Sequence, residues 1–149
     1  MANQTASRLY SYDEHSFDRT IDTWVQALHR ENCKVNGWSC TPLKRGAFGY
    51  DNLVYSICKV SEAHSDGVDI TDVETVSDLI HEGWVANYTY WRDNKPWLSA
   101  EGYTKPSQSL GDERREECAR MKYVDLPSEE KVKDRILAKF IISDMFFPV

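Results

Sequence analysis

The sequence predicts a mainly α domain (α+β): a small helical domain with one short strand or β-hairpin element. Apolar residues recur at helical spacing through residues 17–29 and again after Asp51. Residues 123–140 open on Asp125-Leu126-Pro127 and continue with apolar positions four apart. Residues 84–91, W-V-A-N-Y-T-Y-W, instead alternate and are rich in β-formers, which predicts the strand or hairpin arm.

Residues 1–16 are polar with interleaved tyrosines and read as a flexible arm or an edge strand. Phe17, Ile21, Trp24, Val25 and Leu28 then line one helical face, with Ser16 as the N-cap. Asn36-Gly37 marks a turn, followed by a short Trp38 segment and a loop through Pro42, Gly46 and Gly49. Asp51 is placed to cap a second helix carrying Leu53, Val54, Ile57, Cys58 and Val60, which Gly67 closes.

Thr71-Asp72-Val73-Glu74 fits a capping box, in which threonine and glutamate satisfy each other's helix-end amides. The helix it opens carries Val73, Val76, Leu79 and Ile80, and Gly83 is expected to end it in the left-handed conformation. Residues 93–111 are turn-rich, and residues 112–121 form a charged helix with Cys118 and Met121 as its few buried contacts. Pro127 suits a first helical turn, where its missing N–H has no partner to lose. Glu129 and Glu130 place negative charge where the dipole favours it, and Val132, Ile136, Phe140, Leu137 and Ile141 form one wide apolar face.

A chain of 149 residues with 41% apolar and 28% charged side chains is sized for one domain, 1–149, with a real core. The net charge of −6 comes with no basic stripe able to follow a phosphate backbone, which argues against nucleic acid as a partner. No apolar run approaches a membrane span and the first residues lack a signal-peptide apolar region, so the chain reads as cytoplasmic with no membrane partner. Cys33, Cys40, Cys58 and Cys118 form no CxxC pair and read as free thiols.

Catalytic patterns are missing: there is no G-x-S-x-G elbow, no H-E-x-x-H, no H-x-E with P-C-x-x-C and no phosphate-binding GxxxxGK[ST] loop. The expectation is a protein that is not an enzyme and needs no cofactor. His29, Cys33 and Cys40 raise a zinc site, but no second ligand pair lies nearby to complete four. The balance favours a surface histidine beside two partly buried thiols, and no metal. Residues 84–97 are more informative. Trp84, Tyr88, Tyr90, Trp91 and Trp97 crowd together with Arg92 and Lys95, a set suited to stacking a planar base and pairing with phosphate. Such aromatics form packed cores more often than pockets.

Gly83-Trp84, Arg92-Asp93-Asn94-Lys95 and the pattern Y-x-x-L-P-x-x-E-K-x-x-D-R from Tyr123 to Arg135 together resemble the ryanodine-receptor-type (RyR) domain. The resemblance covers about the second half of the chain, residues 70–149. Small stand-alone members occur in bacteria and phages, where they are proposed to recognise nucleotide-derived ligands, including signals of antiviral defence. The resemblance therefore implies a non-catalytic protein binding a nucleotide-like small molecule, in the host cytoplasm if phage-encoded, acting against a host defence signal. Trp84, Tyr88, Arg92, Tyr123, Lys131 and Arg135 are the expected ligand contacts. The alternative is an acidic adaptor or inhibitor that binds a host protein, since exposed aromatics anchor interfaces. The apolar end, with Met145, Phe146, Phe147 and Val149, either docks on the core or forms an interface such as a homo-oligomer.

Overall fold

Five α-helices and one short 3-10 turn account for most of the described residues, which are 19–94 and 113–145 of a computed structural model. The expected arm, the Ser16 cap, Lys95, Trp97 and the end of the chain after Met145 lie outside them. The helices are α1 (Arg19–Asn36), α2 (Phe48–Ser65), α3 (Val73–Asn94), α4 (Glu113–Arg120) and α5 (Ser128–Asp144), with the 3-10 turn Tyr123–Asp125 before α5. Helix α1 packs on α2, α2 on α3, α3 on α5, and α5 back on α1, so the four long helices close a ring. One core fills it, built from Val25 and Leu28, from Val54, Ile57 and Val60, from Val76 and Ile80, and from Ala138 and Ile141. Met145 packs against its edge. The short α4 and the 3-10 turn lie on α3.

The mainly α expectation holds, and the strand does not: no strand occurs among the described residues. Residues 84–91 are the second half of α3. Their burial has a helical period, with Gly83, Asn87, Tyr88 and Trp91 inside and Tyr90 at the surface. Tertiary packing of Ile80, Trp84, Tyr88 and Trp91 along one face outweighs the β preference of the single residues.

Gly83 is likewise interior and not a cap. A Cβ there would lie 3.0 Å from the Ser56 Cα and backbone nitrogen, so this glycine lets α2 and α3 cross at backbone contact. The left-handed glycines are Gly37, Gly46 and Gly67, the first and last just past the ends of α1 and α2.

Three caps also shift. Helix α2 starts at Phe48, so Asp51 falls in its first turn, is buried, and accepts a 2.9 Å hydrogen bond from the Trp91 indole N–H. Asp72, not Thr71, caps α3: its carboxylate accepts from the Thr75 amide at 2.9 Å, while Thr71 turns back to Asp69. Pro127 stands one residue before α5 and offers its carbonyl to the Glu130 and Lys131 amides. On α5 the buried face is Leu137, Ala138 and Ile141, whereas Val132 is 48% exposed. Helix α4 has no buried residue; Cys118 and Met121 are only partly covered.

Candidate functional site

A groove of about 490 Å³ opens where α1 ends, α2 begins, and α4 and the first half of α5 face the middle of α3. Its floor is apolar, with Phe48, Ile80, Leu126 and Leu137. Trp38 forms one wall. It is 60% exposed and is held just after the left-handed Gly37 by its backbone N–H, which donates to the Cys33 carbonyl at 2.9 Å. Trp84 reaches the groove from α3. Its indole is parallel to the His81 ring (centroids 6.1 Å apart) and to the Tyr88 ring (5.2 Å). These neighbours come from the turns before and after, so they cover the indole faces and leave its edge to the groove.

Charge in the groove is mixed. Glu130 pairs with Arg114 at 3.0 Å and with Lys133 at 3.1 Å. Burial acts against its ionisation, yet these two cations hold its carboxyl below the usual range. Asp134, one turn on, has no hydrogen-bond partner among the described residues. Burial, reinforced by the Glu130 charge, pushes its carboxyl up to about 7. Asn52 also lines the groove, and its buried side-chain oxygen accepts no hydrogen bond. Cys118 is kept a thiol by burial and by Glu130, and His81 donates through Nε2 to the Met121 carbonyl at 2.7 Å. Neither is arranged as a nucleophile with its base.

The six expected ligand contacts divide between two places. At the C-terminal end of α3, Tyr88 is fully buried and donates to Glu116 at 2.6 Å. Arg92 binds the same carboxylate through Nη1 at 2.9 Å and Asp93 through Nε at 2.9 Å, and its guanidinium lies 5.7 Å from the Tyr88 ring centre. The Tyr88 hydroxyl first, then Arg92, hold Glu116 below the usual carboxylate range.

At the other end, Arg135 grips Glu74 through two hydrogen bonds of 2.8 and 2.9 Å. The Tyr123 hydroxyl donates to the same carboxylate at 3.1 Å, and the Lys131 ammonium lies 5.7 Å from the Tyr123 ring centre. Positions 74 and 92 are roughly 27 Å apart along one helix. The two groups are separate tertiary ties, and of the six residues only Trp84 lines the groove.

Trp38, Asn52 and Asp134 had no sequence signal as site residues. Trp38 looked like a loop residue, and nothing local shows that Asp134 lines a groove without a hydrogen-bond partner among the described residues. Only its place beside Val132, Ile136 and Leu137 on a half-apolar helix pointed that way. No family model, no curated protein sequence and no solved structure matches this chain.

Proposed function

We propose that this is a non-catalytic binding protein whose groove takes a small, planar, polar molecule of nucleotide size. The observation that carries the reading is the pairing of an exposed indole, Trp38, with two polar groups left without partners, Asp134 and the Asn52 oxygen. Buried polar groups in folded proteins are nearly always satisfied, so an aromatic-walled groove that leaves the Asn52 oxygen open, beside a half-buried Asp134 with no hydrogen-bond partner among the described residues, is arranged for something that completes them. The volume falls within the range of small-molecule sites, roughly 300–1,000 Å³. Arg114, Arg115 and Lys133 supply cations at the α4 and α5 side. A near-neutral Asp134 can donate to a base or sugar oxygen, which an ionised carboxylate cannot. The resemblance adds a ligand class, the nucleotide-derived signals of antiviral defence, and a role in intercepting them.

The experiment is a thermal-shift screen against mono-, di- and cyclic nucleotides and ADP-ribose derivatives. A ligand at about a hundred times its dissociation constant adds roughly 2.7 kcal/mol of stability. The shift is expected to vanish in Trp38→Ala, whose own melting temperature should match that of the parent because the indole is exposed. A panel without any shift would defeat the reading.

A second reading has its own observation. Trp38 and Val132 are both exposed and both line the groove, giving an apolar rim that suits a protein partner's side chain. Capture of a host protein that protects Trp38 from solvent quenching, with no nucleotide shift, would favour that acidic adaptor or inhibitor.

A further inference from the structure

Helix α1 carries Gln26, His29 and Cys33 at positions i, i+3 and i+7, one continuous face. The loop of residues 37–47 folds back along that face and is tied to it at four points, one of them the Cys33 thiol donating to the Ser39 carbonyl at 3.9 Å. The Cys33 carbonyl accepts from the Trp38 amide at 2.9 Å, and His29 Nε2 bonds the Thr41 carbonyl at 2.8 Å. The Gln26 side chain both donates to the Leu43 carbonyl at 2.9 Å and accepts from the Leu43 amide at 3.0 Å. Cys40 lies between these ties.

The consequence is a cluster that sequence spacing alone disfavoured. One ligand atom from each of His29, Cys33 and Cys40 lies within 4.8 Å of the other two. The Cys33 sulfur is 3.6 Å from His29 Nε2 and 4.0 Å from Nδ1. Tetrahedral zinc, with bonds of about 2.3 Å to sulfur and about 2.0 Å to nitrogen, puts its sulfur and nitrogen ligands roughly 3.5 Å apart. Against those spacings the Cys33 sulfur and Nδ1 are about 0.5 Å too far apart and Cys40 lies no more than about an ångström from a ligand position, so modest side-chain shifts would surround an ion.

The Thr41 bond adds an orienting contact. With the Nε2 proton on a backbone carbonyl, Nδ1 carries the lone pair, and metal-bound histidines are commonly aimed by such a contact to the far ring nitrogen. Two sulfurs and an imidazole select a thiophilic ion such as zinc over magnesium or calcium.

We propose that His29, Cys33 and Cys40 form a zinc site with its fourth position open to solvent. Cys33 is buried at the base of the cluster and Cys40 is exposed, so the open position faces outward on the Cys40 side. No fourth protein ligand joins them among the described residues. The bound ion clamps the loop that carries Trp38 onto α1. The site stands whether or not the groove binds a nucleotide.

The test is titration of the reduced full chain with cobalt(II) and then zinc(II), followed by absorption and melting. Cobalt is expected to bind at one equivalent, with a thiolate charge-transfer band and the intense visible bands of four-coordinate cobalt. Zinc should displace it and raise the melting temperature. Cys40→Ser and His29→Ala should each weaken zinc binding by more than about tenfold, a loss no smaller than that seen when a residue that only hydrogen-bonds a metal ligand is removed. Cys118→Ser, outside the cluster, should change nothing. Cys40 is exposed, so its variant keeps the test meaningful even if a Cys33 variant fails to fold. Absence of the cobalt bands in the reduced protein would overturn the proposal, as would bands that survive Cys40→Ser.

Discussion

The two ends of α3 and the Asp134 side of the groove at its middle treat charge in opposite ways. At each end one carboxylate, Glu74 or Glu116, is held by an arginine and by a tyrosine hydroxyl. In the groove, Asp134 is half-buried and has neither kind of partner. The tied carboxylates are held below the usual range and the lone one is pushed far above it. A fold gains nothing by enclosing an unpaired acid, because desolvation penalises its charged form. The ends are therefore stitches between helices, and the groove is where the molecule tolerates a local cost. Such a site is the expected place for function.

The largest effect tests the ends. Trp91 is fully buried, meets Phe48 edge-on with ring centres 5.5 Å apart, and donates to the buried Asp51. Trp91→Ala should cost about 3–5 kcal/mol in chemical denaturation, since it opens a cavity under α3. Trp91→Phe, which keeps a ring and deletes the donor, should cost roughly 1–3 kcal/mol. If Trp91→Ala were no worse than the exposed-indole variant Trp38→Ala, the contrast between a structural aromatic cluster and a groove would collapse.

That contrast was only partly legible in the sequence. Helix α5 was readable because its signals are local: proline at the start, glutamates in the first turn, apolar residues in the second half. The same logic failed for α3. Gly83 satisfies two rules at once, helix-ending and close packing, and only the Ser56 backbone on the neighbouring helix decides between them. The aromatics after it have strand preference, which the burial of Tyr88 and Trp91 overrides. Of the six expected contacts, Trp84 lines the groove. Arg92, Tyr123 and Arg135 carry chemistry that suits a ligand but meet glutamates from distant helices instead. A sequence gives the charge of a side chain but not what stands opposite it.

An intermediate effect is expected in the groove, with a pH sign opposite to that at the ends. The Asp134 carboxyl is raised from 3.8 to about 7 in the folded state. A raised carboxyl contributes stability that is fully present below its unfolded value and is lost as pH rises through its folded value. Its contribution therefore falls between about pH 4 and about pH 7. Glu116, whose carboxyl is lowered, contributes the other way, losing stability as pH falls through the acid range. Asp134→Asn keeps the shape and cannot ionise. It should stabilise the protein by roughly 1–2 kcal/mol near about pH 8 and by little near about pH 4. An equal change at both pH values would mean that Asp134 ionises as freely as a surface acid.

The smallest effect compares the two ends with each other. The Arg135–Glu74 pair has the better geometry, with two short hydrogen bonds, but its side chains are 37% and 54% exposed. Each carboxylate also serves a buried tyrosine, Tyr123 or Tyr88, but the Arg92–Glu116 pair is less open at 35% and 24%. Exposed ion pairs contribute little because water and salt screen them, and good bidentate geometry recovers only part of that loss. Arg135→Met should thus leave the denaturation midpoint within error. Arg92→Met should lower it measurably, because Glu116 is the more shielded carboxylate and loses a cation where water reaches it less. Raising the salt concentration should narrow that gap only in part, since the Glu116 side is the more shielded. A larger loss from Arg135→Met than from Arg92→Met would mean that hydrogen-bond geometry, and not shielding from water, decides what a charged stitch is worth here.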